Sequence, residues 1–191
     1  LCAVLAGMLA GMVTGLFHTR MGIPAILAGI LTQLSLYSIN LVIMSGKANQ
    51  AVSVNKYNLI VSSRYVKEIS LQNPIFITAI VLAVLIGLLY WFFGTEIGCS
   101  LRSTGANAAM SRAQGVNTNR ASVLGLMISN GIVALASALY SHYQGFADVN
   151  MGRGAIVIGL AAVIISDVIF GRLFTNFALK LVAVVFGAVI Y

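Results

Sequence analysis

Long apolar runs alternate with short polar connections along the whole chain. A membrane-spanning helix needs about 20 predominantly apolar residues. Six stretches meet or approach that length: residues 1–17, 24–44, 75–93, 121–141, 154–170 and 177–191. They predict an all-α, polytopic transmembrane helix bundle. The first and last runs are cut by the chain ends, and the chain does not begin with Met. Residues 1–191 therefore read as one transmembrane domain within a longer protein. Pro24 suits the first turn of the second helix, where its missing N–H is not needed. Tyr90 and Trp91 close the third run, as an interfacial aromatic belt would. Residues 45–74 form a long polar segment, whereas residues 142–153 and 171–176 are short connections.

One polar connection, Gly98 to Asn117, has a finer pattern. Asn107 can cap a helix by accepting from free backbone N–H groups. Ala108 to Gln114 can propagate it, and Gly115 can supply a left-handed stop. Seven residues give a rod roughly 10 Å long. Ala106, Met110 and Ala113 recur at i, i+4 and i+7, so one face is small and apolar. Arg102 and Arg112 flank it. A knob of this kind suits a groove in a partner; the same spacing also fits a loop with helical content and no partner.

The helix faces add two signals. Ala3, Gly7, Gly11 and Gly15 keep a strict four-residue spacing in the first run. Gly125/Ser129 and Ala134/Ala138 repeat it in the fourth. Small residues so spaced let helix backbones approach closely. Gln33, Tyr37 and Asn40 share one face of the second run, and Asn130 with Ser137 forms a weaker polar face in the fourth. Polar side chains at membrane depth need partners or water. These faces fit either the wall of a translocation path or interhelical hydrogen bonds. The third run is apolar all round, as a lipid-facing helix would be.

Composition excludes more than it assigns. The chain is 60% hydrophobic and 8% charged, with a mean hydropathy of +0.99. Its net charge of +7 fits basic loops beside an anionic bilayer surface rather than nucleic acid. Charge does not settle orientation. Arg20, Arg102, Arg112, Arg120, Arg172 and Lys180 fall on one side, and Lys47, Lys56, Arg64, Lys67 and Arg153 on the other. No ionisable residue sits at the middle of a run, which argues against a proton relay. There is no phosphate-binding loop, catalytic triad pattern or metal-ligand cluster. Cys2 and Cys99 are isolated, and His18 and His142 fall at run ends. No metal site, no cofactor and no enzyme chemistry are expected of this chain.

The segment Leu-Arg-Ser-Thr-Gly-Ala-Asn-Ala-Ala-Met-Ser-Arg-Ala-Gln-Gly-Val-Asn, residues 101–117, resembles the coupling-loop motif of ABC importer permeases of the branched-chain amino acid and ribose type. That motif runs Arg-Ala-Thr-Gly-x-Asn, a few helical residues, then Gly-Ile-Asn. Gly125 to Leu139, Tyr143 to Gly152 and Ile156 to Ile165 resemble the branch associated with tryptophan/tyrosine-type binding proteins. Leu27 to Leu31 and Tyr37 to Leu41 fit it too. Ser103 and Val116 replace the motif's usual Ala and Ile, and Ser166-Asp167 stands where the branch has Gly-Glu.

The resemblance implies a permease subunit in the bacterial inner membrane. Residues 98–117 would be its cytoplasmic coupling loop. Arg102, Thr104, Gly105, Asn107, Ala109, Met110, Ala113, Gly115 and Asn117 would meet an ABC ATPase, which uses ATP and magnesium. Residues 45–74 and 142–153 would face outward. Gln33, Tyr37, Asn40, Asn130 and Gln144 are the candidate path residues. A solute-binding protein and a second permease copy, as a homodimer, complete the expected partners within the lipid bilayer. An aromatic amino acid is the solute the branch implies. The alternative is a secondary transporter or channel working without ATP.

Overall fold

The computed structural model describes residues 1–51, 74–152, 154–170 and 177–191. Among these residues, eight helices and two short strands follow in the order α1 (Cys2–Arg20), α2 (Ala25–Ile43), β1 (Asn49–Ala51), α3 (Pro74–Gly94), α4 (Glu96–Ala106), α5 (Ala108–Ala113), α6 (Thr118–Gln144), β2 (Phe146–Asp148), α7 (Ala155–Phe170) and α8 (Phe177–Ile190). The buried apolar residues among those described are all alanines: Ala28, Ala121, Ala162 and Ala183. Large apolar side chains cover the outside instead. In lipid this is the expected arrangement, because a hydrocarbon solvent does not drive Leu and Ile inward, and close helix packing selects small residues.

The tightest seam joins α1 to α6. Gly7 approaches Asn130 and Ala134, Gly11 approaches Leu126, and Gly15 approaches Val123. Rising numbers on α1 meet falling numbers on α6, so the helices run antiparallel. A β-carbon at Gly11 would run into the Leu126 carbonyl oxygen, and one at Gly7 would lie 2.5 Å from the Ala134 β-carbon. The four-residue glycine ridge is thus a backbone-to-backbone contact. The small residues of α6 divide between two neighbours: Ala134 faces α1, whereas Gly125 faces the Leu101 side chain of α4.

A hydroxyl pair joins α1 to α2. Thr14 Oγ1 donates to Thr32 Oγ1 at 2.9 Å, and Thr32 donates to the Ala28 carbonyl at 2.9 Å. Both threonines are buried. The turn between α1 and α2 is tied by His18 Nδ1, 2.8 Å from the Ile23 carbonyl oxygen. At the far end of α2, Gly46 N–H bonds the Leu41 carbonyl and Ser45 N–H bonds the Val42 carbonyl, the paired closure of a Schellman stop.

The strands were not expected. β1 pairs antiparallel with β2, Asn49 opposite Asp148, Gln50 opposite Ala147 and Ala51 opposite Phe146. The pairing places the C-terminal ends of α2 and α6 at one end of the bundle. The α1–α2 turn, the α3–α4 junction, α5 and the start of α6 share the other end. Of the polar segment at residues 45–74, residues 52–73 lie outside the described residues, as do the connection 171–176 and Arg153.

The expectation of six spans is met in part. Among the described residues, four helices are long and apolar enough to cross a membrane: Cys2–Arg20, Ala25–Ile43, Ile75–Gly94 and Thr118–Gln144. The other two are shorter, α7 with 16 residues and α8 with 14. They pack on each other through Gly187, which abuts the Ala162 carbonyl and lies so close that a β-carbon would be 3.1 Å from the Ser166 β-carbon. The all-apolar α3 buries none of its spanning stretch, consistent with the lipid-facing position read from its sequence.

Candidate functional site

The polar connection after α3 is two helices, not the single short one its pattern predicts. Thr95 caps α4: its hydroxyl accepts from Gly98 N–H at 3.3 Å and donates to the Phe92 carbonyl at 2.6 Å. The signal was a threonine directly after an apolar run and before Glu96 in the first turn. Gly98 is required there, since a β-carbon would strike the Phe92 carbonyl oxygen. α4 ends at Asn107, whose backbone is extended at φ −154° and ψ 100°.

Asn107 then caps α5 as expected. Its Oδ1 accepts from Ala109 N–H and Met110 N–H, both at 3.1 Å. The helix stops at Ala113, with Gln114 as its C-cap rather than its last residue. Gly115, at φ +84°, donates to the Arg112 carbonyl, and Val116 N–H donates to the Ser111 carbonyl at 3.0 Å. This is a second Schellman stop. Asn117 immediately caps α6 by accepting from Arg120 N–H at 3.2 Å. Two asparagine caps and one glycine stop thus fix a short rod between α4 and α6.

The rod has an inner and an outer side. Ser111 is 2% exposed and bonds the Asn107 carbonyl at 3.0 Å. Ala109, Met110, Arg112 and Ala113 are exposed, Met110 at 60%. Ala106 does not extend that face, because the break at Asn107 puts it on α4. Thr104 is half-buried and bonds the Ser100 carbonyl, and Gly105 is exposed with open space around it. Arg102 sits apart from α5: its guanidinium lies over the Phe177 ring, 4.4 Å from the centroid.

The path candidates fall in three places. Gln33 and Asn40 are exposed on α2 and Tyr37 is half-buried. Their common face is turned roughly 120° from Ala28 and Thr32, which meet α1. Asn130 lies at the α1 seam and its amide donates to the Leu126 carbonyl at 2.8 Å. Gln144, at the end of α6, donates to the Tyr140 hydroxyl at 2.6 Å. No hydrogen bond joins Gln33 or Asn40 to Asn130 or Gln144. Sequence reasoning missed Thr14 and Thr32, which pair with each other across the α1–α2 contact and leave no periodic polar face.

Comparison with known proteins completes the picture. Over 191 residues the chain is 39% identical to the "Tyrosine transport system permease protein" of Clostridioides difficile (strain R20291), covering 100% of this chain and 61% of that protein. It is 32% identical to an uncharacterized protein of Rickettsia prowazekii (strain Madrid E), with 99% and 65% covered. It is 29% identical over 170 residues to the "Autoinducer 2 import system permease protein LsrC" of Yersinia pseudotuberculosis serotype O:1b (strain IP 31758), with 88% and 46% covered. The chain thus spans less than two thirds of the length of these relatives. No solved structure matches it. The family model described as "Branched-chain amino acid transport system / permease component" matches residues 1–191. With its apolar helices and polar capped rod, the chain is an integral membrane protein that belongs to this ABC permease family.

Proposed function

We propose that this chain is the membrane part of an ATP-driven importer that moves a small solute, an aromatic amino acid, inward across the bacterial inner membrane by alternating access. α5 enters a groove on an ABC ATPase subunit, and that subunit hydrolyses ATP. A solute-binding protein delivers the solute to the end of the bundle that carries β1 and β2. Two copies of the permease enclose the path, with Gln33, Tyr37 and Asn40 on its wall and tight solute recognition left to the binding protein. Asn130 and Gln144 stand at the seam and rim. A neutral polar wall suits a zwitterion, which can pass without being held by an opposite charge.

The observation that carries this reading is the outer face of α5. It exposes Ala109, Met110 and Ala113 beside Arg112, and is fixed at both ends by caps. Binding energy at such a face can move α6, because α5 and α6 share the Asn117 junction. The test is Ala109→Arg or Ala113→Arg in the assembled transporter. Substrate-stimulated ATP hydrolysis and uptake are expected to fall at least tenfold while the protein elutes and melts as the parent does. Normal uptake and normal stimulation in a folded variant would overturn the assignment.

A further inference from the structure

At the α3–α4 junction the chain forms a cleft of about 680 Å³, closed on its other side by the first turn of α8. Its walls are aromatic. Phe93 packs edge-on against Phe177 with ring centroids 5.0 Å apart, and Tyr90 and Trp91 complete the apolar side. Among the described residues its one ionic group is Arg102, held over Phe177. No carboxylate lines it, and Arg102 has no ion pair or hydrogen bond among the described residues. The stacked ring uses one face of the guanidinium and leaves its in-plane donors available.

The position matters as much as the composition. Tyr90 and Trp91 are in the last turn of the spanning helix α3, and Trp91 is 71% exposed. Exposed Trp and Tyr at a span end mark the headgroup level of a bilayer. The cleft therefore opens where acyl chains give way to phosphates. A cation among aromatic rings at that depth matches an amphiphile with a negative head and an apolar body.

We propose that this cleft seats an anionic phospholipid, with its phosphate on the Arg102 guanidinium and its glycerol and upper chains against Trp91, Phe93 and Phe177. The site depends only on the membrane boundary at α3 and not on the transport reading. Free phosphate offers the same charge but nothing for the aromatic wall. A protein helix in the same place would exclude lipid altogether.

Trp91 is the sole tryptophan of the 191 residues, and the difference between parent and Trp91→Phe protein reports on its site. The purified full-length permease is reconstituted with brominated phosphatidylglycerol or brominated phosphatidylcholine, and Trp91→Phe protein supplies the background to subtract. Half-quenching of Trp91 is expected at an about fivefold lower mole fraction of the anionic lipid, the preference one basic residue gives near a bilayer surface. Arg102→Gln should abolish the preference and Arg102→Lys should keep part of it. Ala178→Trp, which fills the cleft mouth without touching the charge, should displace lipid; phosphatidylglycerol counted by native mass spectrometry should drop by one per chain. Melting curves identify any variant that fails to fold. Equal quenching by the two lipids in the parent, an unchanged preference in folded Arg102→Gln, or relief of quenching by millimolar inorganic phosphate would each overturn the proposal.

Discussion

At the scale of single residues, the glycines of α1 are the most sharply constrained. Gly11 has no room for a β-carbon, whereas Gly29 on α2 has nothing within 4 Å. Gly11→Ala is expected to destabilise the protein by about 1–3 kcal/mol, as overpacking does, while Gly29→Ala leaves the melting temperature in detergent unchanged or slightly raised. Equal melting of the two variants would show that α1 and α6 separate more readily than their contact implies. Asn107 makes a different kind of constraint. Asn107→Ala removes the acceptor from two amides, and loss of an asparagine cap costs about 1 kcal/mol. Hydrogen exchange at Ala109 and Met110 should quicken about fivefold with little change at Leu126 in α6. These roles were legible in the sequence: Asn107 and Gly115 act through local geometry, and the Gly7/Gly11/Gly15 ridge shows as a four-residue spacing. The pairing of Thr14 with Thr32 and of Arg102 with Phe177 was not. Each joins residues far apart in the chain, and neither leaves a spacing to read.

At the scale of elements, β1 and β2 show what hydrophobic pattern misses. Each strand has only three residues, too few to display an alternation, and what pairs them is the arrival of two helix ends at one place. Opposed residues of an antiparallel pair have Cα atoms about 4.5–5.5 Å apart, which falls within disulfide range. The double variant Gln50→Cys and Ala147→Cys should therefore cross-link under mild oxidation, seen as a mobility shift reversed by reductant. Gln50→Cys with Asn150→Cys, out of register, should cross-link poorly.

At the scale of the whole molecule, the face carrying Gln33, Tyr37 and Asn40 is the one α2 does not use against α1. Cysteine at position 37 or 40 should react with small water-soluble thiol reagents, at a rate that changes when the nucleotide state of the ATPase is trapped. Leu82→Cys or Ile86→Cys, on the lipid-facing α3, should stay unreactive in both states. Silence at 37 and 40 in every state would make that face a seam with another helix. Equal reactivity at both pairs would move the path elsewhere. The all-helical, membrane-spanning class followed from apolar run lengths; which polar face meets water did not, because hydrogen-bonding seams and aqueous walls use the same side chains.

α6 contains 27 residues, which makes it roughly 40 Å long, and between Val123 and Ala134 it is fastened to α1 through close contacts at Gly7, Gly11, Gly15 and Gly131. Two helices so joined bend less than either alone and turn as a single beam. α5 is attached at one extremity of that beam and the β1–β2 pair at the other. With roughly 40 Å between them, each degree of tilt about one extremity carries the opposite one sideways by roughly 0.7 Å. A push of a few degrees beside α5 is thereby felt at Asn49 and Asp148 on the far surface as travel comparable to the width of an atom, with no side chain in between having to change its rotamer.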